Sequence, residues 1–164
     1  MLTEPKIVDR APQPYAAIVL KLRQPEIAGT APRLIGEVVQ WVLAQGGQLT
    51  GAPIFNYVGF FPGGEMEMQV AMPTDRVLTP DDRVSTGTIP GGRFASLTAT
   101  ADYPELYDAN MKLDDWACKQ GFKLDGEAQG DSYVNANRME IYHKDPGEDP
   151  SGLPVTEIAF RLKD

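Results

Sequence analysis

Glu157 is the residue whose surroundings are hardest to explain as ordinary surface. It stands midway along Val155-Thr-Glu-Ile-Ala-Phe-Arg-Leu162, a segment that alternates as a strand, and its same-face neighbours are the small apolar Val155 and Ala159. A carboxylate so flanked is partly desolvated, and pairing with a bound cation offsets that cost, so the pattern points to recognition of positive charge. The competing reading is an edge-strand glutamate facing water. Aromatic residues supply the other half of such chemistry. Tyr15, Tyr57, Tyr103, Tyr107, Tyr133 and Tyr142, with Phe55 and Phe60, fall on expected strands or at the mouth of an expected helix. An aromatic face attracts a cation by about 0.5–2 kcal/mol, and two or three of these rings suffice to line a groove, the rest being packing.

Other chemistries find little to work with. His143 is the single histidine and Cys118 the single cysteine, which leaves no disulfide framework and no multi-Cys metal set, so no metal is expected. His143 reads as a structural or surface residue, and Cys118, one residue off a helical stripe, as a buried structural thiol. There is no GxxxxGK, GxGxxG, HExxH or GxSxG, so no cofactor is expected either. The 164 residues carry 15 Lys and Arg against 23 Asp and Glu, a net charge of −8. That balance argues against direct nucleic-acid binding and against anionic membranes. The longest apolar run, Ala16 to Leu20, is too short to span a bilayer, and the start MLTEPKIVDR shows no signal peptide, so a cytoplasmic setting is expected.

The elements that must position these residues are read from periodicity. Alternation predicts strands over Pro14–Arg23, Pro53–Phe61 and Glu65–Met72, the last two joined by a Pro62-Gly63-Gly64 turn. Further strands are expected near Arg83–Ile89, Arg93–Thr100, Tyr133–Lys144 and Val155–Leu162. A 3.6-residue period predicts helices over about Pro32–Gln45, with Pro32 at the first helical position, and about Pro104–Gln120, with Asp102 as N-cap. Both helices end in the same W-x-x-x-Q-G, at Trp41–Gly46 and Trp116–Gly121. The order strand–helix–strand–strand thus occurs twice in one chain. The expected fold is α+β: duplicated β-α-β-β units with pseudo-twofold symmetry, about residues 4–80 and 81–164 of one domain. Both helices lie on one face of an antiparallel sheet, and the other face, or the seam between halves, is left to form a groove.

The opening EPKIVDRAPQPYAAI, the helix end WVLAQGG, the block GRFASLTATADYPELYDANMKLDDWACKQG and the ending DPGEDPSGLPVTEIAF together resemble the GyrI-like small-molecule-binding domain, from about Glu4 to Leu162. The same domain forms the effector-binding half of some bacterial multidrug-responsive regulators. The resemblance implies a ligand cleft at the seam with Glu157, matched to the glutamate of the family's terminal "EI" strand, as its central acid. It implies bulky, lipophilic, often cationic aromatic ligands held by that carboxylate and by Tyr15, Tyr57, Tyr103, Tyr107, Tyr133, Tyr142, Phe55 and Phe60. Some stand-alone members hydrolyse reactive cyclopropane-bearing natural products, which would make Glu157 and Tyr103 a catalytic pair here. Others bind a protein partner such as DNA gyrase. Two departures bear on the cleft: Arg161 shares the parity of Glu157, and Leu153-Pro154 stand where relatives carry an aromatic residue.

Overall fold

A computed structural model describes residues 1–135 and 137–164. Ten strands form a single sheet in which every pair is antiparallel. In chain order they are β1 (Lys6–Arg10), β2 (Gln13–Arg23), β3 (Ile54–Phe60), β4 (Glu65–Pro73), β5 (Ser85–Ile89), β6 (Gly92–Thr100), β7 (Gly126–Gln129), β8 (Ser132–Asn135), β9 (Arg138–Lys144) and β10 (Val155–Arg161). Helix α1 (Ile27–Ala44) follows β2, and α2 (Leu106–Lys119) follows β6. The neighbours run β1-β6-β10-β9-β3-β4-β2-β5, with the β7–β8 hairpin joined to β3. The repeated units are therefore β2-α1-β3-β4 and β6-α2-β9-β10, and they meet where β3 pairs with β9. Among the described residues, no helix is long and apolar enough to cross a membrane.

The helix ends explain the repeated motif. Gly46 and Gly121 have φ of 75° and 82°, a region open to glycine at no steric cost. In both helices the N–H of this glycine reaches the carbonyl three residues back, and the next N–H reaches five back: Gly46 to Leu43 and Gly47 to Val42, then Gly121 to Cys118 and Phe122 to Ala117. These are two copies of one Schellman ending. The helix starts match as well. Gln24-Pro25-Glu26 and Tyr103-Pro104-Glu105 are each one 3₁₀ turn, and the glutamate side chain accepts from the backbone N–H of Arg23 or Asp102. Helix α1 has 18 residues and α2 has 14, a difference of about one turn that leaves the apolar faces in phase.

Several expectations need correction. Helix α1 begins at Ile27, so Pro32 lies inside it; Pro32 removes the bond its N–H would have given Ala28, and the packing of Ala31, Val38 and Val42 carries the helix through. The strand expected over Tyr133–Lys144 is split into β8 and β9, and its position 136 lies outside the described residues. Strands β1 and β7 were not foreseen. Cys118 is exposed.

The sheet curls because its edge strands are exchanged between the units. Strand β1 leads directly into β2 yet pairs with β6, and β5 leads directly into β6 yet pairs with β2. Short connections cannot reach across a flat sheet of this width. Curling brings Tyr15, Ala17, Ile54, Ala71, Ile89, Phe94, Met139, Ile141 and Ala159 into one cluster on the concave side, where a cavity of about 340 Å³ remains beside Arg10, Ile89, Phe94 and His143. Both helices lie on the other face, α1 over β2 and β4, α2 over β6 and β10. Of the two groove positions expected, the seam on the helix side carries the larger cavity and the opposite face the smaller one.

The two connections pass each other at Gly91. A Cβ there would stand 2.8 Å from Pro12 Cδ and 2.9 Å from the Arg10 carbonyl oxygen. Gly91→Ala therefore lowers stability by about 1–3 kcal/mol, read as an earlier urea midpoint. Gly29→Ala, where nothing lies within 4 Å on an exposed helix surface, raises it by about 0.5–1 kcal/mol.

Candidate functional site

The helices cover the outer strands of each unit and leave β3 and β9 bare between them. The result is a cleft of about 770 Å³ whose walls are the N-terminal halves of α1 and α2. Ile27, Pro32 and Ile35 form one wall; Tyr103, Leu106, Tyr107 and Met111 form the other. The floor comes from the seam strands: Phe55, Tyr57 and Phe60 of β3 beside Arg138, Glu140 and Tyr142 of β9. Alternation alone would turn Phe60 away from Phe55 and Tyr57. The register shift between Tyr57 and Gly59 against β4 inserts one residue and brings Phe60 back to the same face. Asn135, buried, donates to the Tyr57 carbonyl beside that shift at 3.3 Å. Asn56 ties the seam together, donating to Gln69 and to Asn137 at 3.1 Å each.

Glu140 lies at the centre of this floor, 7% exposed, with Phe55 opposite it across the seam and Ile158 beside it on β10. Its Oε1 accepts from the Tyr57 hydroxyl at 2.9 Å and the Tyr142 hydroxyl at 2.7 Å, and its Oε2 accepts from Asn110 Nδ2 at 2.9 Å. All three donors are neutral, and among the described residues Glu140 forms no ion pair. Burial, and then the charge of Glu140, push both phenols well above the ordinary tyrosine range. They stay protonated and keep donating. Tyr142 is held edge-on by Phe55, centroids 4.8 Å apart, and by Tyr103 at 6.0 Å. The arrangement is a carboxylate under aromatic and aliphatic walls, satisfied by dipoles and without an ion-pair partner among the described residues.

Of the residues singled out in the sequence, Tyr57, Tyr103, Tyr107, Tyr142, Phe55 and Phe60 line this cleft. Tyr103 and Tyr107 stand at its rim, 44% and 64% exposed. Tyr15 and Tyr133 do not line it. Tyr15 packs on the concave-side cluster and accepts from Gln69 at 3.4 Å; Tyr133, on β8, lies against Gly126. Glu157 does not line it either: the parity read from the sequence is right, and the face it selects is the concave one, away from the cleft. There Glu157 Oε2 accepts from Arg10 and, at 2.7 Å, from Ser96 Oγ, while Oε1 meets His143 Nε2 at 2.9 Å. Glu157 thus joins β1, β6, β9 and β10. Arg161 is committed to Asp125 at 2.5 Å and to the Gly91 carbonyl at 2.8 Å. The carboxylate the sequence reading passed over is Glu140, and the available signal was a second Glu-Ile pair, Glu140-Ile141, flanked by two residues of the aromatic set on the same or neighbouring strands.

The family model of the GyrI-like small molecule binding domain matches residues 3–163. No curated protein matches this chain in sequence. Among solved structures, the chain is similar to the regulator EcmrR in its complex with DNA, at a TM-score of 0.78 and 16% identity over 98% of this chain. It spans 57% of the EcmrR chain. It is also similar to SAV2435 bound to tetraphenylphosphonium, at a TM-score of 0.64 and 15% identity over 98% of this chain and 94% of that one. A hydrolase from Listeria innocua gives a TM-score of 0.55 and 11% identity over 98% and 92%. At these identities the likeness is one of fold.

The position of Glu157 has a consequence for stability. Burial alone would raise its pKa, yet His143, Ser96 and Arg10 together hold it at about 2, against roughly 4.3 in an unfolded chain. A depressed pKa stabilises the fold above the unfolded value and ceases to as pH falls toward the folded one. Glu157→Gln is therefore expected to cost up to about 3 kcal/mol above pH 5, the difference shrinking on acidification toward pH 2. Chemical denaturation of both proteins across that range checks it, and a difference independent of pH refutes the charged role.

Proposed function

The chain belongs to the GyrI-like family of small-molecule-binding domains, and from that premise we propose that it binds bulky, lipophilic organic cations in the interhelical cleft, with Glu140 as the counter-ion. The observation that carries this reading is the buried carboxylate of Glu140, held by neutral donors alone at the floor of an apolar cleft. A buried charge in that state gains from a cation that is itself weakly hydrated, because little desolvation of the ligand is then required. Phe55, Tyr57, Phe60 and Tyr142, with Tyr103 and Tyr107 at the rim, add aromatic faces to the same ligand. The volume of about 770 Å³ lies within the roughly 300–1,000 Å³ usual for small-molecule sites. The neighbour bound to tetraphenylphosphonium supplies a suitable probe.

A hydrolytic role on strained electrophiles would use the same group. Tyr57 and Tyr142, protonated and hydrogen-bonded to Glu140, are placed to protonate the substrate group that takes up the electron pair of the breaking ring C–C bond as water adds to the ring carbon, with Glu140 positioning them. Loss of a cyclopropane-bearing substrate followed by mass spectrometry, with the hydrated product appearing for the wild type and not for Tyr142→Phe, is the expected outcome under that reading.

For the binding role, Glu140→Gln is expected to weaken tetraphenylphosphonium binding about tenfold or more, one decade being roughly 1.4 kcal/mol. Glu157→Gln is expected to leave it within about twofold. Titration calorimetry on the three proteins decides the matter: equal affinities for wild type and Glu140→Gln would remove Glu140 from the site.

A further inference from the structure

Arg138 stands two residues before Glu140 on β9 and shares its face, so the strand rise sets their backbones about 7 Å apart. It too lines the cleft. Its guanidinium lies over Phe160, Cζ 4.1 Å from the ring centroid, and the side chain is 17% exposed. The nearest carboxylate, Asp114, stands 3.6 Å away, beyond hydrogen-bonding distance. Among the described residues, the guanidinium N–H groups of Arg138 find no hydrogen-bond acceptor, whereas Arg10 donates to Glu157, Arg83 to Glu37 through two nitrogens, and Arg161 to Asp125 and Gly91. The ring contact holds this guanidinium in a largely buried setting with only a loose ion pair to the exposed Asp114. Such a group is preorganised for a planar anion.

One strand face of the cleft therefore holds an anion, Glu140, and a cation, Arg138, with Asp145 lining the cleft just beyond β9. A simple lipophilic cation satisfies Glu140 and repels Arg138 over about 7 Å. A ligand with a carboxylate at that separation from its cationic centre satisfies both. We propose that the preferred ligands of this cleft are aromatic zwitterions, with the cationic ring system over Glu140 and a carboxylate on Arg138. The inference rests on the cation-binding reading of the cleft and adds the second charge.

A xanthene dye tests it, because the same cationic ring system is available with a free carboxylate (rhodamine B) and as the ethyl ester, which keeps the cation and loses the anion. Fluorescence anisotropy on the wild-type protein is expected to give about tenfold or greater preference for the free acid. Arg138→Met is expected to abolish the preference, with ester affinity raised as the repulsion is removed and acid affinity lowered, and Arg138→Lys, which keeps the charge without the fork, to retain part of the preference. Unchanged circular dichroism and saturable ester binding show that the variants are folded. Saturable ester binding without preference for the acid in the wild type, or a preference that survives in Arg138→Met, overturns the zwitterion inference alone. Failure of both dyes and of tetraphenylphosphonium to bind the wild type overturns the cation reading and this inference with it.

Discussion

The exchange of edge strands between the two units is the constraint from which the rest follows. With β1 paired to β6 and β5 paired to β2, each reached by a short connection, the sheet has to curl until its ends approach. Curling gives the concave side a core of its own and narrows the space there to a cavity less than half the size of the interhelical one. The helices are left to the convex side, each riding over the outer strands of its own unit. What remains uncovered is the pair of seam strands, and a cleft opens above them. The cleft is thus less a specialised pocket than the gap that two helices leave when each packs on its own unit.

Two glutamates on neighbouring strands show how environment divides labour between identical side chains. Glu157 is surrounded by a guanidinium, an imidazole and a hydroxyl, and its charge is spent within the protein, joining four strands. Glu140 receives two phenols and an amide. Dipoles keep a carboxylate ordered without neutralising it, so its field extends into the cleft. Burial is similar for both; the net charge of the partners is what differs, and that quantity marks which carboxylate is free to meet a ligand.

Much of the fold was legible in the sequence because local chemistry dictates it. The repeated W-x-x-x-Q-G is a helix ending that needs glycine at positive φ, and the alternation of Met66, Met68, Val70 and Met72 marks the face that α1 covers. Glu157 was assigned to the face away from the helices, as observed. That this face is not the one lining the interhelical cleft is decided by β1, five residues beside prolines, pairing with a strand more than eighty residues away, which no local pattern specifies. Glu140 was hidden by the same regularity that revealed the strands. Between Met139 and Ile141, which face the concave core, it reads as the water-facing partner in a half-buried strand, and only the overhanging helices turn that face inward. The shift that returns Phe60 to the cleft leaves no periodic trace, since β3 is apolar on both faces.

The strand exchange also says something about ancestry. A chain of half this length, carrying only β1 through β4, would leave β1 without a mate and β2 with a bare edge. Two copies would cure both defects by trading their first strands, forming a swapped dimer with the cleft on its symmetry axis. The present molecule has the architecture of such a dimer made continuous. Its halves are held by interlock as well as by the peptide bond between them, so a nick in the segment joining β4 to β5 severs no strand of the sheet, and the two fragments have reason to stay entwined. In one continuous chain the two seam strands need not be alike: one carries Glu140 and Arg138 and its counterpart carries Phe55 and Tyr57.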